Sequence, residues 1–93
     1  MSAKVVMYSK TTCSYCHRAE RLLRERGVGD LEIIQIDIER SRRAEMIQRA
    51  AGGSTVPQIF IDGRHVGGCD DIVALDRAGG LVPLLHPERT SAQ

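Results

Sequence analysis

The chain has little of what specialised binders carry. Aromatic side chains are scarce: there is no tryptophan, and Tyr8, Tyr15 and Phe60 are the full set. That is too few for the stacking platforms that grip single-stranded nucleic acid. Neither sign of charge is in excess, with 13 Lys and Arg against 12 Asp and Glu. The densest basic cluster is only Arg40, Arg42 and Arg43, so the stripe of a nucleic-acid or membrane-surface binder is missing. No apolar run approaches a membrane span. The opening Met1-Ser2-Ala3-Lys4-Val5-Val6 has neither the charged stretch nor the long apolar stretch of a secretory signal, and a cytoplasmic protein is expected. Repeats and low-complexity tracts are absent too. At 93 residues there is room for one core and no separate binding module.

What is present alternates between strand and helix patterns. Val5-Val6-Met7-Tyr8 is a short β-favouring run that ends at polar Ser9-Lys10-Thr11-Thr12, as a buried strand entering a loop does. From Ser14 to about Arg26 the period turns helical, with Cys16, Ala19, Leu22 and Leu23 on one face and Gly27 where a C-terminal cap is expected. Leu31 to Ile38 alternates as a second strand. Ser41 is expected to cap a second helix running to about Ala51, with Met46, Ile47 and Ala50 facing inward. Gln58 to Ile61 is a third strand, and Asp62-Gly63 signals a hairpin answered by Arg64-His65-Val66. Asp70 or Asp71 is expected to cap a third helix that stops near Gly79-Gly80, followed by a short turn or helix at Leu81, Leu84 and Leu85. From His86 onward the chain is polar and expected to fray. The order β-α-β-α-β-β-α predicts an α/β fold: a mixed four-stranded sheet flanked by helices, with a right-handed crossover in the first βαβ unit.

Three cysteines, an odd number in a reducing compartment, do not make a disulfide framework. Their positions point to chemistry instead. Cys13-Ser14-Tyr15-Cys16 falls where strand gives way to helix, so Cys13 meets unpaired N–H groups and the positive end of the helix dipole, which favour a thiolate. Cys16 lies one turn on, among apolar neighbours. An exposed nucleophile beside a sheltered resolving thiol is what disulfide exchange requires. Three rival readings are weaker. Two plain core cysteines leave the spacing and the helix start unexplained. Zinc needs four ligands, and there is no second C-x-x-C or His pair. Cys13 to His17 spells the C-x-x-C-H of covalent haem attachment, but that chemistry belongs to exported proteins, and no export signal is seen.

Three stretches carry a resemblance: Tyr8-Ser-Lys-Thr-Thr-Cys-Ser-Tyr-Cys-His-Arg-Ala, Thr55-Val-Pro-Gln-Ile-Phe-Ile and Gly67-Gly-Cys-Asp-Asp. In this order and spacing the chain resembles a dithiol glutaredoxin of the bacterial type, within the thioredoxin-fold superfamily, through about Leu85. The resemblance implies a thioredoxin-like domain over residues 1–86 and a polar tail over 87–93. It implies a glutathione-dependent oxidoreductase acting on protein–glutathione mixed disulfides and protein disulfides, with Cys13 as nucleophile and Cys16 as resolving thiol. No resident cofactor or metal is expected, glutathione being the reducing co-substrate, and the chain is expected to be a monomer.

The resemblance further implies that Pro57 is cis, and that Tyr15, Thr55 and Val56 bound the glutathione site. Val56 would pair with the cysteinyl backbone as a short added strand. Gly68, Cys69, Asp70 and Asp71, at the start of the third helix, would receive the γ-glutamyl end. Lys10 and Arg43 would meet the glycine carboxylate. Cys69 is expected to be a packing residue. The chain departs from the commonest family pattern at Ser14, where proline is usual. That departure keeps a second reading open, in which Cys13 and glutathione of two chains bridge a [2Fe–2S] cluster.

Overall fold

The computed structural model describes residues 3–87. The elements run β1 (Lys4–Ser9), α1 (Ser14–Glu25), β2 (Asp30–Gln35), α2 (Arg42–Arg49), β3 (Gln58–Ile61), β4 (Arg64–Gly67), α3 (Cys69–Arg77) and the short α4 (Leu81–Leu85). This is the expected α/β order, closed by the expected last helix. Val5, Val6, Met7 and Tyr8 are all buried, as befits a strand covered on both faces. The sheet order is β2-β1-β3-β4, with β1 inside. β1 pairs parallel with β2 and antiparallel with β3, which pairs antiparallel with β4. Asp62 (φ 51) and Gly63 (φ 79) take the left-handed conformations that a tight hairpin turn needs.

Strand alternation sorts the core into two layers. Val5, Met7, Ile59 and Ile61 meet Ala19 and Leu23 of α1, Ile72 of α3, and Leu81 and Leu85 of α4. Val6, Tyr8, Ile34 and Phe60 face the other way, toward Met46 and Ala50 beside α2. Gly27 (φ 81) ends α1, and the Val28 N–H reaches back to the Leu23 carbonyl at 3.1 Å, closing the helix as expected.

Several sequence expectations are corrected. β2 stops at Gln35, level with the end of β1 at Ser9, so Ile38 lies outside the strand and exposed. Ser41 stands at the N-cap position of α2, as expected, but it already has helical φ and ψ, and its side chain makes no capping bond. The cap residue of α3 is Gly68, with Asp71 three positions on, accepting the Gly68 N–H at 2.8 Å. His86 does not fray; it is buried, and its Nε2 lies 2.9 Å from the Arg26 carbonyl. Of the expected tail, residues 88–93 lie outside the described residues.

Candidate active site

Cys13 is the N-cap of α1, extended in backbone and half-buried. Its Sγ accepts the Cys16 N–H at 3.2 Å, so a sulfur takes the capping place that a serine or aspartate oxygen usually fills. A helix start offers such N–H groups to any anion, and a thiolate benefits more than a neutral thiol. The backbone on both sides is tied down. The Cys13 N–H donates to the Lys10 carbonyl at 3.3 Å, and the Cys13 carbonyl accepts the His17 N–H at 3.2 Å. Cys16 is buried at 1% exposure. Burial first, and then its hydrogen bond with Cys13, pushes its thiol up to about 11. The two sulfurs one turn apart are therefore unlike, one reachable and one kept protonated.

The Cys13 Sγ also approaches the Val56 carbonyl, at 4.0 Å. The Val56–Pro57 bond is cis. β3 pairs with β1 only from Gln58 onward, so Val56 has no ladder partner across the sheet. Beyond it opens a cleft of about 360 Å³, walled by Tyr15, Thr55–Gln58, His65 and Gly67–Asp71. That volume lies within the range of small-ligand sites. Its far end is the start of α3, where Asp70 is exposed and Asp71 uses one oxygen on the Gly68 N–H. Gly67 stands at φ 124, and a side chain there would collide with Asp71, so only glycine allows this turn. Cys69 is buried in the core, and its thiol is pushed up, chiefly by burial.

The structure therefore gathers Tyr15, Thr55, Val56, Pro57, Gly68, Cys69, Asp70 and Asp71 around one cleft, with the Cys13 sulfur against its Val56 wall. Lys10 and Arg43 are not among the wall residues. Lys10 is exposed in the loop before Cys13, and Arg43 is exposed on α2. Sequence reasoning missed Gln58 and His65, whose side chains pair at 2.7 Å in the wall. The hairpin register, which sets His65 beside Phe60 across from β3, was the available signal. Among the described residues, no three His, Cys, Asp or Glu side chains converge to hold a metal ion.

The family model described as Glutaredoxin matches residues 5–66. Glutaredoxin 3 of Escherichia coli strain K12 is 57% identical over 83 residues, covering 89% of this chain and 98% of the relative. The Glutaredoxin of Pseudomonas aeruginosa is 52% identical over 81 residues, 87% and 94% of the two chains. Among solved structures, a buckwheat glutaredoxin–glutathione complex matches with a TM-score of 0.82 at 38% identity, covering 91% of this chain and 78% of that one.

Proposed function

The chain belongs to the glutaredoxin family, and on that premise we propose how its residues divide the work of a glutathione-dependent thiol–disulfide oxidoreductase. The observation that carries the reading is the Cys13 sulfur, bonded to the Cys16 N–H and set against Val56 at the wall of the cleft. Cys13 thiolate attacks the glutathionyl sulfur of a protein–glutathione mixed disulfide. The S–S bond breaks, the protein leaves as its thiolate and takes up a proton, and Cys13 carries the glutathionyl group. A glutathione thiolate then attacks that sulfur, releasing oxidised glutathione and restoring Cys13. With a protein disulfide, Cys16 gives up its proton, displaces the substrate from Cys13 and leaves a Cys13–Cys16 bridge, which two glutathiones reduce. A thiol held near 11 is a slow attacker until its proton is removed. The direct glutathione route is therefore the faster one for mixed disulfides.

The cleft suits glutathione in orientation as well as volume. Thr55 and Val56, which precede the ladder that begins at Gln58, offer backbone groups to its cysteinyl backbone. The start of α3 offers N–H groups to the γ-glutamyl carboxylate, and Asp70 and Asp71 attract its ammonium group. Lys10, on a long flexible side chain beside Cys13, reaches for the glycine carboxylate, with Arg43 as a more distant cation. The protein substrates are glutathionylated or disulfide-bearing proteins, met as a monomer in the cytoplasm.

The test is reduction of a glutathionylated peptide by glutathione, comparing the parent with Cys13→Ser and Cys16→Ser. Cys13→Ser is expected to lose turnover completely, while Cys16→Ser keeps it. An inert parent would overturn the catalytic reading and turn attention to a bridged cluster, visible as a brown dimer after anaerobic purification.

A further inference from the structure

The segment Lys10–Thr12 between β1 and α1 is exposed, and it leads directly into Cys13. Its fixed point is Thr11. Asp37 lies just past the end of β2, brought alongside the end of β1 because the Ile36 N–H donates to the Ser9 carbonyl at 2.9 Å. One oxygen of Asp37, Oδ2, accepts both donors of Thr11, the N–H at 3.1 Å and the hydroxyl at 2.5 Å. His17 Nε2 stands 3.3 Å from the Thr11 carbonyl. The next backbone bond, from the Cys13 N–H to Lys10, links this anchored residue to the nucleophile.

The other oxygen of Asp37, Oδ1, is buried without a hydrogen-bond partner among the described residues. Leaving a buried carboxylate oxygen unpaired is unfavourable. Two charge-assisted bonds into an exposed loop offset that cost. The Thr11 bonds also hold the Asp37 carboxyl below the usual carboxylate range, with Lys10 adding to the effect. The group is thus ionised throughout the working pH range. Thr11 and Thr12 are exposed, so the contact stabilises little apolar packing. What it holds is the entry into α1.

We propose that Asp37 is a positioning residue for the exchange reaction: it clamps Thr11 and thereby fixes the loop that sets the Cys13 sulfur on the Cys16 N–H and against Val56. This rests on the catalytic reading above. It also separates geometry from charge, because removing an anion alone makes a nearby thiolate easier to form, whereas releasing the loop costs the thiolate its N–H partner.

The experiment measures two things in the parent, Asp37→Ala, Asp37→Asn and Thr11→Val. One is kcat/KM for a glutathionylated peptide; the other is the rate of Cys13 alkylation by iodoacetamide across the pH range. Glu32→Ala, at an exposed ion pair with Lys4, is the control and should match the parent. Asp37→Ala is expected to lose about ten-fold in kcat/KM, the order of one charged hydrogen bond, and to alkylate more slowly near neutral pH. Asp37→Asn keeps the acceptor and should recover most of both, while Thr11→Val should fall between. Parent-like kcat/KM together with parent-like or faster alkylation in Asp37→Ala overturns the proposal and leaves the catalytic reading untouched. Should Asp37→Ala fail to fold, Thr11→Val decides by the same two readouts. Alkylation needs no glutathione, so this arm still decides if the parent proves inert as a catalyst.

Discussion

The two sides of the sheet are built from the same strands but held by different forces. Toward α1, α3 and α4 the buried layer is apolar: Val5, Met7, Ala19, Leu23, Ile59, Ile61, Ile72, Leu81 and Leu85. Toward α2 a polar network runs through the layer. The Tyr8 hydroxyl donates to Glu45 and accepts from Arg49 at 2.8 Å, Arg42 grips Glu45 at 3.0 Å, and Arg49 lies over the Phe60 ring at 4.4 Å. The helix carrying the thiols rests on the apolar side, held there by packing and, at its far end, by the Arg26–Asp76 ion pair to α3 at 2.7 Å. The polar side is tied by directional bonds and leaves the cleft wall, with Gln58 and His65, open to a ligand. The difference teaches that the nucleophile needs a stiff floor beneath it and a wettable wall beside it.

The sharpest way to break this contrast is to hollow the dry side. Leu23 is fully buried, and Leu23→Ala should cost roughly 2–5 kcal/mol in urea unfolding, the transfer loss plus the cavity. A cost near 1 kcal/mol would mean that α1 settles readily and the floor is soft. The next effect comes from alkali. Cys16 sits near 11 in the folded chain against about 8.5 when unfolded. Its contribution to stability is therefore complete below about 8.5 and is lost as pH rises toward 11. The slope is about 1.4 kcal/mol per unit, and Cys69, also pushed up, works in the same direction. Cys16→Ala should flatten that decline in unfolding measured across alkaline pH; an unchanged slope would refute a dry environment for this thiol.

The smallest effect belongs to the polar side and appears in acid. Glu45 is held below the usual carboxylate range, first by the Tyr8 hydroxyl and then by Arg42. Its contribution is present above about 4.3 and is lost as pH falls through the depressed value. Tyr8→Phe should cost about 1 kcal/mol near neutrality and make acid unfolding less steep. If Tyr8→Phe instead costs as much as Leu23→Ala, the two sides are not held by different means.

Much of this was readable in the residues because the governing rules are local. The dipole at a helix start, the buried apolar run Val5 to Tyr8 of β1 and the Asp62-Gly63 turn each follow from a few adjacent positions. The misreadings have a common physical source, which is pairing across distance. The alternation through Ile38 does not reveal that β2 must stop where β1 does. Ser41 has a capping side chain, but the turn made by Arg42 N–H on Glu39 and Arg43 N–H on Arg40 already places it in helical geometry. His86 looks like tail until Arg26 supplies its carbonyl and Gly27 leaves it room. In the site, the motif residues were legible because they cluster in sequence. Gln58, His65 and Asp37 were not, since each acts through a neighbour that only the sheet brings near.

The placement of β1 inside the sheet has a consequence for the growing chain. As the protein leaves the ribosome, β1 and the dithiol helix emerge before β3, and β2 can join them soon after. The opposite edge of β1 must wait, because Val5 pairs with Ile61 and Tyr8 with Gln58, which are synthesised much later. Until then the reactive sulfur has neither Val56 beside it nor a cleft in front of it. The nascent chain thus carries a thiol pair before it has any means of choosing a substrate, and selectivity arrives only once β3, β4 and the start of α3 have been made.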